Sequence, residues 1–484
     1  MKLQLSQSPL NKIKRFLVYS FPVVLYFSYY PVLSLPLSTD SMNLEFSLPL
    51  LWLLLFSILS LKDFFLFLKA LLLEKKYLPL LPLLFPIYLS ISAFWSANLL
   101  RAILSAGVLW CIYISIYALI KLSKSLDKTI LFKTFLVGSV VVCLICWLQC
   151  ILDIFGVPSS FTLLCRGCTS RIFGFPHPSG LSIEPQFMGN LLLAPAFLIL
   201  YLLFVAQKTS LSKIFSRKIL LLFGIIIVST LFLTFSRGAI FSFLISAAFL
   251  SAFSLKYTSL KSIKILPFII LCFFLTLLSQ GLFAEFSYTN DSFLSGIDKV
   301  VSQLSLGRIE LGLADSSRKT NDLKTSPSPV YEESNSPAED APEDPGENLS
   351  VFSGYVEEST DIRLGFNALA LSLSLSSSRT LLFGFGLGSA GTVLYEQGKT
   401  ASKLEIIQNE YLSLLLETGL LGLFLALMTG IIVLLLTSQN LPRRRKILLF
   451  SIYLAFALSL NFFSGLPNAL HIYLFPALII LFLH

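Results

Sequence analysis

Long apolar stretches alternate with short polar segments along the chain, and this alternation predicts a bundle of membrane-spanning helices. A helix that crosses the hydrocarbon core of a bilayer needs about 20 predominantly apolar residues. Twelve stretches meet this requirement, so the predicted fold class is all-α: a polytopic membrane helix bundle of about 12 transmembrane helices with one large loop on its outer, periplasmic side. The predicted spans are residues 16–35, 46–66, 77–97, 101–120, 131–152, 186–206, 219–235, 239–255, 265–283, 411–437, 447–464 and 467–483.

The longest polar interruption divides the chain into three parts. Residues 1–283 hold nine predicted spans with short loops, residues 284–410 form the large outer loop, and residues 411–484 hold the last three spans. Within the loop, residues 315–350 are rich in Pro, Ser, Asp and Glu and nearly lack large apolar side chains. Such a composition buries too little surface to offset its ordering entropy, so this part is predicted to be disordered.

The outer loop becomes apolar again after its acidic part. Apolar residues recur at spacings of three and four from Ile362 to Leu373, which predicts a helix on the outer surface over residues 361–376. The alternation of Leu and Ser over residues 371–376 favours a strand instead.

Composition and charge set the class of protein and its orientation. Hydrophobic residues make up 55% of the 484 residues, charged residues 13%, and the mean hydropathy is +0.81. These values exclude a soluble globular protein, in which roughly a quarter of residues are charged. The net charge of +9 comes mainly from Lys and Arg in short loops, which stay in the cytoplasm, so both termini are predicted to be cytoplasmic in a bacterial inner membrane. The positive charge therefore indicates topology and gives no reason to expect nucleic-acid binding.

A few ionisable residues stand out because the apolar sequence that flanks them offers few charges, and these are candidates for chemistry. Arg171, His177 and Glu184 lie in the outer segment 153–185, where a solvated connector is the plain alternative. Arg237 interrupts an apolar run, and because an ionisable residue at membrane depth is costly, it is expected to face a polar cavity or a lipid phosphate. A hairpin arginine that extends to the headgroups is the alternative.

A glycine-rich turn from Gly384 to Gly391 precedes the tenth span. Such a turn can bind phosphate through backbone N–H groups. The turn matches neither nucleotide-binding fingerprint and follows no predicted strand, so no nucleotide site is predicted.

Five motifs occur in order between Arg171 and Leu436, and together they resemble those of a known family. The motifs are R-x-x-G followed by EP (Arg171, Gly174, Glu184, Pro185), T-x-SRGA (234–239), an arginine that opens an outer helix (Arg363), G-x-G-x-G-S (384–389) and QNEYLSLLLETGLLGL (408–423). The set resembles the O-antigen ligase/polymerase superfamily of bacterial polytopic membrane glycosyltransferases, which implies a GT-C-like helix bundle.

The resemblance implies transfer of a glycan from a polyprenyl-diphosphate carrier to a sugar hydroxyl at the periplasmic face, without a metal, a cofactor or a nucleotide sugar. Its implied partners are the polyprenyl-diphosphate-linked glycan, a glycan acceptor and the lipid bilayer, with a chain-length regulator as a further candidate. The implied catalytic residues are Arg237, Arg363, Gln408, Glu410 and Glu184. The implied substrate-binding residues are Arg171, His177, Ser236, Gly386, Gly388, Asn409 and Tyr411.

The sequence departs from the ligase pattern at one position. The ligase motif resembles H-N-x-Y-L, whereas this chain has Gln408 in place of the histidine, and glutamine cannot accept a proton at neutral pH. Glu410, Glu184 or His177 would then act as the base, or proton loss would be late and Gln408 would only orient the acceptor.

Several functions remain open from the sequence, and a non-catalytic assembly factor is one of them. The Glu184-Pro185 pair resembles the polymerase branch, so a polymerase is favoured and a ligase is the alternative. A transporter or flippase of lipid-linked glycans is a second alternative; it is disfavoured because the sequence shows no two similar halves.

Overall fold

The structure is a computed structural model, and it describes most of the chain. The described residues are 9–28, 31–36, 43–122, 125–155, 177–182, 184–206, 214–286, 292–305, 309, 311, 351–398, 400, 403, 406–439, 441–464 and 470–483. Arg171, Gly174 and the stretch 315–350 that is predicted to be disordered lie outside these residues.

The described chain is helical apart from one hairpin. The helices are α1 (Pro9–Val24), α2 (Leu48–Leu73), α3 (Leu84–Ser92), α4 (Leu99–Leu122), α5 (Lys128–Ile154), α6 (Pro185–Leu200), α7 (Arg217–Leu233), α8 (Arg237–Thr258), α9 (Ile265–Glu285), α10 (Phe293–Ser305), α11 (Val351–Ser374), α12 (Ser378–Phe383), α13 (Ala390–Glu396), α14 (Glu410–Ser438), α15 (Arg443–Ser459) and α16 (Leu470–Leu483). Shorter 3-10 turns flank α3 (Leu78–Leu83, Ala93–Trp95) and follow α8 (Ser259–Lys264), and a π-helical turn (Tyr201–Val205) extends α6.

Eight helices in the described part of the chain are long and apolar enough to cross a membrane, and the protein is therefore a helical membrane protein. Each of the twelve predicted spans overlaps a helix. The four helices α1, α7, α15 and α16 fall short of the length expected of a span, with 16, 17, 17 and 14 residues. α6 lies at the centre, because 89% of its apolar window is buried, whereas only 17% of that of α14 is buried.

The first predicted span, 16–35, is wrong in its second half. α1 ends at Val24, and a strand β1 (Pro31–Pro36) pairs antiparallel with β2 (Asn43–Ser47). Proline at each end of β1 has no N–H to continue a helix and disfavours helical backbone in the residue before it. The apolar residues after α1 therefore do not continue the helix, because proline favours an extended conformation there.

The basic loops gather at one end of the bundle. Asp63 accepts hydrogen bonds from the Nζ atoms of Lys14 (2.6 Å) and Lys121 (2.8 Å), which joins α1, α2 and α4 there. At the same end, Arg444 Nη2 donates to the carbonyl of Tyr257 at 2.6 Å. We call this the basic end.

The opposite end carries the start of α8. Helix α8 has 22 residues, from Arg237 to Thr258, and its last residues lie at the basic end, where Arg444 contacts Tyr257. Arg237 at the start of α8 therefore lies about 33 Å from the basic end. The helix predicted over residues 361–376 is present as part of α11, and the Leu/Ser alternation forms no strand there. Because α11 begins ten residues earlier than predicted, at Val351, Arg363 lies within the helix and does not open it.

Candidate functional site

Arg237 is placed by a tight turn between α7 and α8. Phe235 adopts a positive φ of 47°, which is uncommon outside glycine, and Thr234 Oγ1 donates to the carbonyl of Leu231 at 2.8 Å. The turn packs closely on α6, because a Cβ at Gly189 would lie 2.9 Å from the Cβ of Ser236. Ser236 and Arg237 are thereby held against the central helix.

His177 lies beside this turn in a recessed segment. Gly180 of the same segment exchanges two hydrogen bonds of 2.9 Å with the Gln149 amide and packs on Cys146. Cys146 is about 12 Å below the end of α5, so the segment reaches down into the bundle. Burial, with a smaller effect of the nearby Arg237 charge, lowers the pKa of His177 to about 3, so its imidazole is neutral at physiological pH.

Arg363 and Glu184 complete a charged group around Arg237. Arg363, from α11, interacts electrostatically with Arg237 and with Glu184. Glu184, the residue just before α6, has an exposed side chain. The surrounding protein raises the pKa of the Glu184 carboxyl, and the charge of Arg363 opposes this increase. We call Arg237, Arg363, Glu184 and His177 the arginine site.

Polar atoms with open hydrogen-bonding capacity line this region. Among the described residues, Nη1 of Arg237, Oγ of Ser236 and Oδ1 of Asn190 are buried and have no hydrogen-bond partner. Asn190 is one residue beyond Gly189, which faces Ser236. Buried polar atoms are nearly always satisfied in native proteins, so the Arg237 and Ser236 atoms are candidates for contact with a polar ligand or with water.

The start of α14 adjoins the arginine site and is fastened to the end of α15. The Glu410 N–H donates to the carbonyl of Leu460 at 2.9 Å, and its carboxylate accepts from Ser464 Oγ at 3.1 Å. Tyr411 donates its hydroxyl to the carbonyl of Ala457 at 2.7 Å. Glu410 and Tyr411 therefore hold two helices together, in addition to the catalytic and binding roles predicted for them.

Asn409 and Gln408 precede this junction. Asn409 Oδ1 accepts from the Leu412 N–H at 3.1 Å and so caps α14. Oε1 of Gln408 is buried and has no hydrogen-bond partner among the described residues, which leaves it able to bind a hydroxyl group. The junction reaches the arginine site through Phe462, whose carbonyl accepts from Gln186 and whose ring packs on Gly238.

The glycine-rich turn crosses α14 where that helix is broken. Gly384 and Gly419 both have positive φ, and a Cβ on either would collide with the backbone of the opposite segment. The Glu417 carbonyl accepts from the Gly386 N–H at 2.7 Å, and its carboxylate accepts from the Gly388 N–H at 2.9 Å. Both N–H groups are therefore engaged inside the protein, which favours a structural role for Gly386 and Gly388 over the predicted contact with substrate. We call this contact the glycine crossing.

Sequence reasoning missed several residues of this region. Three of them are polar residues in or at the ends of apolar stretches: Gln149, Gln186 and Asn190. An isolated polar residue in an apolar stretch is the sequence signal that could have identified them. Arg101, which interacts electrostatically with Glu417, was passed over because it opens an otherwise apolar span.

In comparisons with known proteins, no protein-family model matches this chain, and no curated protein matches it significantly. Within the described residues, no group of three or more His, Cys, Asp or Glu side chains is placed to hold a metal ion.

Proposed function

We propose that this protein is a membrane glycosyltransferase that polymerises oligosaccharide repeat units carried on polyprenyl diphosphate, at the periplasmic face of a bacterial inner membrane. In this proposal the chain crosses the membrane twelve times, both termini lie in the cytoplasm, and the large loop lies in the periplasm. The observation that carries it is the juxtaposition of Arg237 and Arg363 at the end of the bundle opposite the basic end.

Two guanidinium groups within electrostatic reach of each other repel, and partial removal from water increases the cost. An anion with more than one negative charge offsets this cost, and a diphosphate matches the paired N–H donors of arginine. The neutral imidazole of His177 adds a polar group without adding a third positive charge. These features support a site for a diphosphate.

The proposed reaction breaks the bond between the anomeric carbon of the donor sugar and the oxygen of the diphosphate. The bonding electrons leave with that oxygen, so negative charge grows on the diphosphate, and Arg237 and Arg363 stabilise it. The hydroxyl oxygen of the acceptor sugar forms the new bond to the anomeric carbon and loses its proton. The lipid diphosphate is the leaving group.

Glu184 is the proposed acceptor of that proton. Its raised pKa makes its carboxylate a stronger base than that of an ordinary glutamate. In this proposal Oε1 of Gln408 accepts a hydrogen bond from the acceptor sugar and orients it. A ligase that transfers the finished glycan to another acceptor uses the same chemistry and is the alternative; the Glu184-Pro185 pair favours the polymerase.

Deletion of the gene tests the proposal, with surface glycans and lipid-linked intermediates analysed separately by chain length. The expected result is surface glycan that carries a single repeat unit. Long chains held on the lipid carrier would identify a ligase instead. Unchanged glycans in both pools would contradict both functions.

A further inference from the structure

An apolar groove lies on the lipid-facing side of α5, away from the arginine site. Residues of α1 and α5, together with Phe27 and Leu181, line this open groove of about 490 Å³, within the size range of ligand pockets in proteins. The groove is lined by Val23, Phe27, Lys133, Thr134, Val137, Gly138, Val141, Val142, Ile145 and Leu181.

The polarity of the groove changes along its length. Its lining on α5 extends from Lys133 to Ile145, about 18 Å along the helix axis. The polar residues Lys133 and Thr134 lie together at the end nearer the start of α5, where the basic loops gather, and the lining beyond them is apolar up to Leu181.

Lys133 has an exposed side chain and makes no ion pair with any acidic residue that the structure describes. It lies about 7.5 Å along α5 from the first residue of that helix, so its flexible side chain can reach the level of the lipid headgroups. A lysine in this position attracts an anionic headgroup, because a basic residue close to an anionic leaflet contributes favourable binding energy.

We propose that this groove is a binding site for one anionic phospholipid of the leaflet at the basic end. Its phosphate lies at Lys133, and one acyl chain lies along Val137, Val141 and Ile145 towards Leu181. The proposal is independent of the proposed glycosyl transfer.

The direction of the polarity distinguishes this occupant from an isoprenoid chain that descends from the arginine site. Such a chain would bring its apolar end to Lys133 and Thr134, and it would place its diphosphate end beyond Leu181, where the groove offers only apolar side chains. Polar groups favour a headgroup at the Lys133 end.

Native mass spectrometry of the full-length protein tests the site. The protein is purified from nanodiscs that contain equal amounts of phosphatidylglycerol and phosphatidylethanolamine with identical acyl chains. Wild-type protein is expected to retain one phospholipid per chain with about fivefold preference for phosphatidylglycerol, the effect of one basic residue near the membrane surface. Equal retention of the two lipids, or retention of an isoprenoid instead, would overturn the proposal.

Two variants with matched controls separate the headgroup contact from the acyl-chain contact. Lys133→Gln is expected to abolish the headgroup preference, whereas Lys128→Gln, on the same helix but outside the groove, keeps it. Val141→Phe fills the groove and lowers phospholipid occupancy several-fold, whereas Leu148→Phe does not, because Leu148 is similarly exposed (52% against 50%) but does not line the groove. Identical lipid retention by each variant and its control would show that only bulk lipid covers this flank.

Discussion

The arginine site brings the positive charges of two individual residues, Arg237 and Arg363, close together. Arg237 and Arg363 repel each other, and one terminal nitrogen of Arg237 is buried without a hydrogen-bond partner among the described residues. An unsatisfied buried donor costs about 1–3 kcal/mol. A diphosphate bound between the two side chains, as proposed above, would offset both costs.

Conservative replacement of either arginine tests this reading of the charges. Arg237→Lys and Arg363→Lys are each expected to lower kcat/KM by about tenfold to a hundredfold, because an ammonium group cannot reproduce the paired N–H contacts to a phosphate. The measurement is polymer formation from a purified lipid-linked repeat unit.

Arg379→Lys is the matched control for these two variants. Arg379 is an exposed arginine on α12, next to α11 in the chain, and its replacement is expected to leave kcat/KM unchanged. Turnover near that of the wild type in the Arg237→Lys variant would argue against a contact with diphosphate.

The pH dependence of the rate distinguishes Glu184 from His177 as the base. The pKa of Glu184 is raised, so its carboxylate takes up a proton earlier on acidification than an ordinary glutamate, and kcat/KM should fall as the pH decreases through that raised value. His177, with a pKa of about 3, stays neutral over the same range and contributes no change. Glu184→Gln is therefore expected to remove the acidic limb of the profile, whereas His177→Asn keeps it. An unchanged limb in Glu184→Gln would assign the base elsewhere.

Among the secondary-structure elements, α14 contains a break that frees backbone carbonyls to bind neighbouring segments. α14 is interrupted at Gly419, and the freed carbonyl of Thr418 accepts a hydrogen bond from the Tyr88 hydroxyl at 2.8 Å. The carbonyl of Glu417, one residue earlier, accepts from the Gly386 N–H. Backbone groups that a break exposes at membrane depth must find partners inside the protein, and the glycine crossing supplies them.

Alanine at the glycine crossing is expected to destabilise the protein. In Gly384→Ala or Gly419→Ala, the new Cβ meets the opposite backbone at a positive φ, at a cost of about 2 kcal/mol or more. Gly365→Ala and Gly430→Ala are the controls: they lie inside helices with no atom within 4 Å of the added Cβ, so they should be neutral or slightly stabilising. The midpoint of thermal unfolding of the purified variants measures the difference, and equal midpoints in all four would contradict the structural role.

On the scale of the whole molecule, the two ends of the bundle differ in their charge chemistry. The basic end is closed by the Lys14–Asp63–Lys121 group, in which the Lys14 side chain is only 4% exposed. At the opposite end Arg237 and Arg363 lie close together, and Arg363 also interacts electrostatically with Glu184. A buried ion-pair group therefore stabilises the basic end, whereas the opposite end brings two arginines close together.

Removal of the central carboxylate should weaken the basic end. Asp63→Asn leaves Lys14 buried without its counter-charge and is expected to lower the free energy of unfolding by about 3 kcal/mol. Glu74→Gln, which breaks the exposed pair with Lys76, is the control and should cost less than about 1 kcal/mol. Addition of Lys14→Met to Asp63→Asn should restore part of the loss; no recovery would show that the pair is not the cause.

The sequence by itself determined the class of protein, the positions of most helices and the residues that deserve chemical interest. Apolar stretches of membrane length and helical spacing are local properties, so they can be read without knowledge of packing, as in the outer helix that became α11. The helix prediction failed between Pro31 and Pro36, because proline disfavours a helix even where the neighbouring residues are apolar.

Only the tertiary structure decided which of the candidate residues lie close together. Arg237, Arg363 and Glu184 come from segments far apart in the chain, and nothing in their local sequence specifies that they meet. The same holds for the glycine-rich turn: its sequence is compatible with phosphate binding, but its N–H groups are directed to Glu417 because α14 breaks beside it. Hydrophobic periodicity specifies a helix and its buried face, whereas the identity of the neighbour on that face depends on the packing of the whole bundle.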